Sequence, residues 1–433
     1  MDNKHIYVDR RNNLINTLDD GLVIIPTTQE IIRNQDSVYQ YRFDSSFYYL
    51  TGFDEPDAVL VLDIKNKKSI LFCREKNPER EIWDGFRHGV LGAKSAFKFD
   101  ESYSIVEFPQ KIVSLMENMP TLYYTLGHMP KYDGMIIEAL SNVRNMIRRG
   151  VSSPHNIIDI NRIVAEMRLF KDAHDIELIS KTCEISGFAH IEAMKFIKNA
   201  KYEYEVEAKI LEVFYKHGAR YPSYTPIVAS GANSCVLHYV ANNSEIRSGD
   251  LLLVDAGCEY KGFAGDITRT YPVNGKFTKP QQAIYEIVLE ANKKAIEKIK
   301  VGVAWNEPGD CATQILIRGL IDLGLLKGSV EDNIANNNYK QFYMHGIGHW
   351  LGLDVHDVGV YKINGKWRNF KTGMCTTIEP GLYIRPDNKI PEEYWNIGIR
   401  IEDDILLSSS GIVNMTSHVP KEVKDIENLI CQG

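Results

Sequence analysis

No stretch of this sequence reaches the roughly eighteen consecutive apolar residues that span a bilayer, and the opening Met1-Asp-Asn-Lys-His-Ile-Tyr lacks the apolar core of a secretion signal. The expectation is a cytoplasmic protein. Blocks of Lys and Arg, and basic runs interleaved with aromatics, are also missing, and the net charge is -7. That excludes nucleic acid and an anionic membrane as partners. The seven cysteines are scattered and form no C-x-x-C pair, so neither a disulfide framework nor a cysteine zinc site is indicated, and the thiols read as buried or incidental. Low-complexity segments and obvious repeats are absent too. At 433 residues the chain exceeds what one core supports, which predicts two or three domains.

What stands out is Met344-His-Gly-Ile-Gly-His-Trp-Leu-Gly-Leu-Asp-Val-His-Asp357, with three histidines and two aspartates in fourteen residues, broken by Gly346, Gly348 and Gly352. Neither an amphipathic helix nor an alternating strand tolerates those glycines well, so the stretch reads as a site whose carboxylates can orient its imidazoles. Ahead of it, residues 21–26, 58–63 and 69–73 read as buried strands and 132–149 as a helix, together a small α/β domain. Within that domain the aromatic-rich segment 41–52 and the glycine-flanked loop carrying Trp83, Arg87 and His88 read as packing and a solvated loop. Amphipathic helices over 172–198 and 203–217 open a second domain. Strands follow at 226–230, 250–260 and 262–272, helices at 280–299 and 310–323, and strands at 374–378, 382–385 and 398–407.

The second domain places carboxylates in pairs. With a two-residue turn at Tyr260-Lys261, the hairpin 251–270 sets Asp255 directly opposite Asp266 on one face. Like charges so placed repel unless a cation lies between them or one is protonated. Strand alternation over 397–407 puts Arg400, Glu402 and Asp404 on one face, while Pro380-Gly381 breaks a ladder beside Glu379 and frees its side chain. Four carboxylates and one histidine from the central stretch form an oxygen-rich set. Such a set suits two divalent ions of the manganese type, about 3.5 to 4 Å apart, better than one structural zinc.

The segment His345-Gly-Ile-Gly-His-Trp-Leu-Gly-Leu-Asp-Val-His-Asp357 resembles the signature of the metal-dependent proline peptidases of the pita-bread fold. That family includes prolidase, methionine aminopeptidase and the non-metal enzyme creatinase. The resemblance extends over 41–56, 167–171, 217–224, 237–239, 250–275, 378–384 and 397–404, and is to the bacterial aminopeptidase P branch. It implies an α/β (α+β) fold class, with a small α/β N-terminal domain at 1–169 that serves oligomerisation and the cleft, and a pita-bread catalytic domain at 170–433. It implies two Mn²⁺ ions, with Asp255 chelating one, His349 and Glu379 on the other, and Asp266 and Glu402 as bridges.

The implied reaction is hydrolysis of the N-terminal Xaa-Pro bond of peptides by a hydroxide bridging the two ions, with Glu379 as proton shuttle. His345 and His356 would hydrogen-bond the substrate carbonyl and the oxyanion, and His238 would stand on the substrate side. His345, His356, Tyr383 and Arg400 would line the prolyl pocket, and Asp255 would seat the free amino group. Trp83 would reach the cleft of a neighbouring subunit in a dimer or tetramer. One departure is Ser46, which stands where the relatives carry an acidic residue, so no N-terminal carboxylate is carried over as a partner of Arg400. Prolidase activity on Xaa-Pro dipeptides is the nearest alternative, and a non-catalytic binding module is the alternative of another class.

Overall fold

The computed structural model describes residues 4–432, and the chain divides into two compact units after Arg168. In the first, six strands form a mixed sheet in the order Glu101–Ser104, Lys68–Cys73, Val59–Asp63, Leu22–Pro26, Thr121–Tyr123, Asn156–Ile158. The three apolar runs are its antiparallel centre. They carry apolar side chains at successive positions because both faces are covered. Phe108, Ile112 and Ile136 pack on Ile24, Val61 and Phe72, and the helices His5–Thr17 and Ser45–Thr51 touch the same strands.

The aromatic-rich segment is packing: Asp44 caps the helix Ser45–Thr51 through the Phe47 amide at 2.8 Å, and Phe47 and Phe53 are buried. Ser46 lies inside this unit and accepts a hydrogen bond from the Arg168 guanidinium at 3.1 Å. The stretch read as a loop around Trp83 instead contains a short helix, Pro78–Asp84, started by the Asn77 side chain and by Pro78 at a first-turn position. Trp83 stands on it with 83% of its surface exposed.

The second unit repeats one order of elements. Helices Ala173–Phe196 and Glu203–Lys216 precede the antiparallel strands Ile227–Ser230, Leu251–Asp255 and Thr268–Pro272; helices Lys279–Lys298 and Glu307–Asp322 precede Cys375–Ile378, Gly381–Ile384, Ile397–Arg400 and Asp403–Ser408. Two of these helices, Ala173–Phe196 and Lys279–Lys298, begin where the sequence supplies a side-chain cap. Asp172 accepts from the amides of His174 and Asp175, and Thr278 forms a capping box with Gln281 ahead of Pro280. Their apolar faces and the inner faces of the strands form one continuous core. No described helix is long and apolar enough to cross a membrane.

One buried histidine in this core has a measurable consequence. His190 donates from Nε2 to the Ala256 carbonyl at 2.9 Å, and among the described residues its Nδ1 has no hydrogen-bond partner. Burial lowers its pKa to about 4, so below pH 6.5 the unfolded chain takes up a proton that the native state refuses. Stability therefore falls between pH 6.5 and 4, by up to about 3 kcal/mol. Urea unfolding at pH 7 and pH 5 checks this: His190→Gln should lose less stability over that interval than the unaltered protein.

Candidate active site

The hairpin turn is at Lys261-Gly262, with φ of +50° and +86°, not at Tyr260-Lys261. A two-residue turn with both central φ positive favours glycine at its second position, and Gly262 takes it. Tyr260 accordingly pairs with Phe263, and Asp255 lies opposite Thr268 rather than Asp266. The strands are also not continuous. The ladder of Leu251–Asp255 with Thr268–Pro272 stops, and Cys258–Tyr260 joins another sheet with Phe263–Ala264 and Tyr221–Pro222. Asp266 sits in the gap. A Cβ on Gly257, across from it, would lie 1.7 Å from the Gly265 carbonyl oxygen, so only glycine permits this close approach.

The second pair is delivered in the same way. The strand read as continuous over 398–407 splits: Ile397–Arg400 pairs with Gly381–Ile384, and Asp403–Ser408 pairs with Cys375–Ile378. Glu379 and Glu402 occupy the two breaks. Asn292, from the helix Lys279–Lys298, donates to the Ile378 and Ile401 carbonyls at 3.1 and 3.2 Å and so satisfies backbone that the broken ladders release. Glu402 is fixed to the first hairpin: its amide donates to the Thr268 carbonyl at 3.0 Å and its Oε2 accepts from the Thr268 hydroxyl at 2.7 Å. The neighbouring residues close the same seam, since Arg269 donates to the Glu402 carbonyl at 2.6 Å and pairs with buried Asp403 at 2.8 Å. Asp404, expected on the cavity face, lies behind it and accepts from the Asp266 amide at 3.1 Å.

His349 is held by its backbone, which accepts from the Thr377 amide at 2.9 Å and donates to the Thr377 hydroxyl at 3.0 Å. Its Nδ1 donates to the Trp350 carbonyl at 3.0 Å, which fixes the tautomer and turns the Nε2 lone pair toward Asp266 at 3.3 Å and Glu379 at 3.7 Å. Asp266, His349 and Glu402 can place one ligand atom each within 4.8 Å of one another. Burial disfavours charge on His349, but the Asp266 hydrogen bond and charge and the Glu379 charge raise it to about 9. A proton and a metal ion therefore compete for the same lone pair.

The carboxylates show what crowding does. Burial, reinforced by the neighbouring acids, pushes Glu402 well above the usual carboxylate range and Glu379 to about 7. Asp255 is raised mainly by burial, although Arg400 donates to it at 2.6 Å. The Tyr224 hydroxyl lies against Oδ1 of both Asp255 and Asp266, yet one phenol carries one proton. Four acids share two cationic neighbours, Arg400 and His349, and the balance of charge and the oxygen-rich donors fit divalent cations.

The remaining histidines and the expected pocket residues divide. The Tyr383 hydroxyl donates to His345 Nε2 at 2.8 Å and accepts from Arg400 at 2.9 Å, while His345 Nδ1 donates to the Gly346 carbonyl at 2.8 Å. Both His345 nitrogens are engaged, and burial lowers its pKa to about 4. Tyr383 is fully buried behind the cavity wall, where it holds His345 and Arg400 rather than lining a prolyl pocket. Asp255 accepts from Tyr224 on Oδ1 and from Arg400 on Oδ2, and each oxygen keeps a second acceptor site.

His238 and His356 are exposed and line a cavity of about 490 Å³ with the carboxylates, Arg400 and His345, and Ile227, Leu237, Val240 and Val355 supply its apolar share. Behind His356, Lys171 and Asp357 form a buried ion pair of 2.7 Å. Trp83 belongs to the other unit. Sequence reasoning missed Tyr224, Thr268 and Asn292; an uncharged side chain that serves a carboxylate gives no signal of its own.

The profile of metallopeptidase family M24 matches residues 177–409, and that of the aminopeptidase P N-terminal domain matches 7–123. The chain is 44% identical to Xaa-Pro aminopeptidase of Escherichia coli, over 97% of this chain and 96% of the relative. The chain belongs to the Xaa-Pro aminopeptidases of metallopeptidase family M24. Solved structures similar to it include the Pseudomonas aeruginosa aminopeptidase PepP, at 42% identity, and zinc-substituted E. coli aminopeptidase P in complex with product, at 43%. Each superposes with a TM-score of 0.96 and covers 99% of this chain and 98% of the other.

Membership makes this a metal-binding hydrolase with the pita-bread catalytic fold. Divalent cation added to metal-stripped protein should raise the melting temperature, with about 2.7 kcal/mol gained at a hundredfold excess over the dissociation constant. Thermal scans across a cation titration read this directly, and Asp266→Asn should abolish the gain.

Proposed function

We propose that this aminopeptidase removes the first residue from peptides whose second residue is proline, and that it works with two manganese ions held by Asp255, Asp266, His349, Glu379 and Glu402. The observation that carries this reading is the convergence of those five side chains on one cavity that also has an apolar wall of Ile227, Leu237, Val240 and Val355. When bound, the ions supply water acidified to near-neutral pH and a Lewis acid for the scissile carbonyl.

The chain's own residues do the rest. Glu379 accepts the proton of the attacking water and returns it to the prolyl nitrogen as the bond breaks. His238 and His356 donate to the substrate carbonyl and the oxyanion, a contribution of about 3 kcal/mol per donor. His345, set by Tyr383 and Arg400, shapes the approach to them. The apolar wall accepts a pyrrolidine ring, and an Xaa-Pro bond asks for no partner to an amide N–H because it has none. We also place the protein in the cytoplasm as a dimer or tetramer, in which the exposed indole of Trp83 completes a neighbour's cleft.

The test is release of the N-terminal residue from an Xaa-Pro-Yaa tripeptide by metal-stripped protein titrated with Mn²⁺, beside the matching Xaa-Pro dipeptide. Turnover of the tripeptide, with the dipeptide far slower, is the expected result, whereas preference for the dipeptide would make the enzyme a prolidase. Glu379→Gln, at matched metal loading, should lower kcat by about 10²- to 10⁴-fold.

A further inference from the structure

A fully buried carboxylate behind the cavity takes no part in the reaction. Glu203 opens the helix Glu203–Lys216. Its Oε1 accepts from the Ser230 amide at 2.7 Å, the Ser230 hydroxyl at 2.9 Å and the Asn233 side-chain amide at 3.0 Å. Its Oε2 accepts from the Tyr239 hydroxyl at 2.7 Å and the Ser244 amide at 2.9 Å. All five donors come from one segment, Ser230 to Ser244, and among the described residues Glu203 makes no ion pair. Its own amide donates to the Ser244 carbonyl at 3.1 Å.

This segment is where the cavity wall has least regular structure. After the 3₁₀ turn Gly231–Cys235 no helix or strand begins until Leu251, so no ladder sets its path. It nevertheless carries Leu237, His238 and Val240, all of which line the cavity. Tyr239, between two of them, turns away to Glu203. Asn242 makes the same kind of tie beyond it, accepting from the Val228 amide at 3.0 Å and donating to the Pro226 carbonyl at 2.8 Å.

We propose that Glu203 is a positioning residue for substrate: by gripping both ends and the middle of the 230–244 segment, it sets where His238 and its apolar neighbours meet the peptide. The inference rests on the Xaa-Pro aminopeptidase reading of the cavity. The group must be acceptor-only, because a glutamine of the same size would aim two N–H bonds at hydroxyl and amide donors.

The experiment is Glu203→Gln, read by steady-state kinetics on an Xaa-Pro-Yaa tripeptide, manganese stoichiometry and amide hydrogen exchange of residues 231–244. The expected result is a KM raised about tenfold with kcat within about threefold and manganese content unchanged, together with faster exchange in the segment. An unchanged KM, or a loss confined to kcat or metal content with unaltered exchange, would overturn the proposal. Tyr239→Phe removes one donor from the segment alone; should Glu203→Gln not fold, it should raise KM about threefold, and unchanged KM there counts against the proposal equally. If the unaltered protein cleaves no tripeptide, the activity reading fails, and hydrogen exchange then decides the role of Glu203 alone.

Discussion

Repulsion among buried acids is the constraint on which this structure depends. Asp255, Asp266, Glu379 and Glu402 reach one cavity, with Asp404 immediately behind, while Arg400 and His349 are the cationic side chains that meet them. The acids are restrained by shared devices: Arg400 and Tyr224 for Asp255, Tyr224 and His349 for Asp266, His349 for Glu379 and Thr268 for Glu402. Left to themselves such groups would take up protons or separate. The fold denies them separation, and what remains is a strong preference for cations.

The fold denies it by a single trick used four times. Asp255 ends a strand, and Asp266, Glu379 and Glu402 each sit where a strand leaves one sheet for another. A residue at such a break is released from the alternation that would send its side chain to one face. Its unpaired backbone must then be satisfied from elsewhere, which Asn292 does for two carbonyls and Thr268 for the Glu402 amide.

This explains what was legible in the sequence and what was not. The apolar runs of the N-terminal sheet and the four long helices of the second unit declare themselves, because continuous burial and helical spacing leave direct marks on composition. The acids and the histidine stretch were legible as chemistry, since their residue types alone called for cations. The breaks were not. Residues 251–260 and 398–407 contain no proline, and a strand that changes partner looks the same in sequence as one that does not. The hairpin register slipped for a smaller reason: Gly262, not Lys261, marks the second position of the turn. Tyr383 was misplaced because an aromatic beside a cleft motif reads as pocket lining, whereas its hydroxyl is a relay between two buried groups.

The doubled order of elements in the second unit bears on how the protein comes apart. Asp255 and Asp266 belong to the first set of elements, His349, Glu379 and Glu402 to the second, and one of the bonds that join them, Thr268 to Glu402, spans 134 positions of chain. Contacts so remote form late and are lost only when the two halves part. Divalent ions held at the centre would act as a rivet across that seam, beside the fastening that Arg269 and Asp403 already make. Their influence would fall on how slowly the native protein opens, and much less on how quickly it forms.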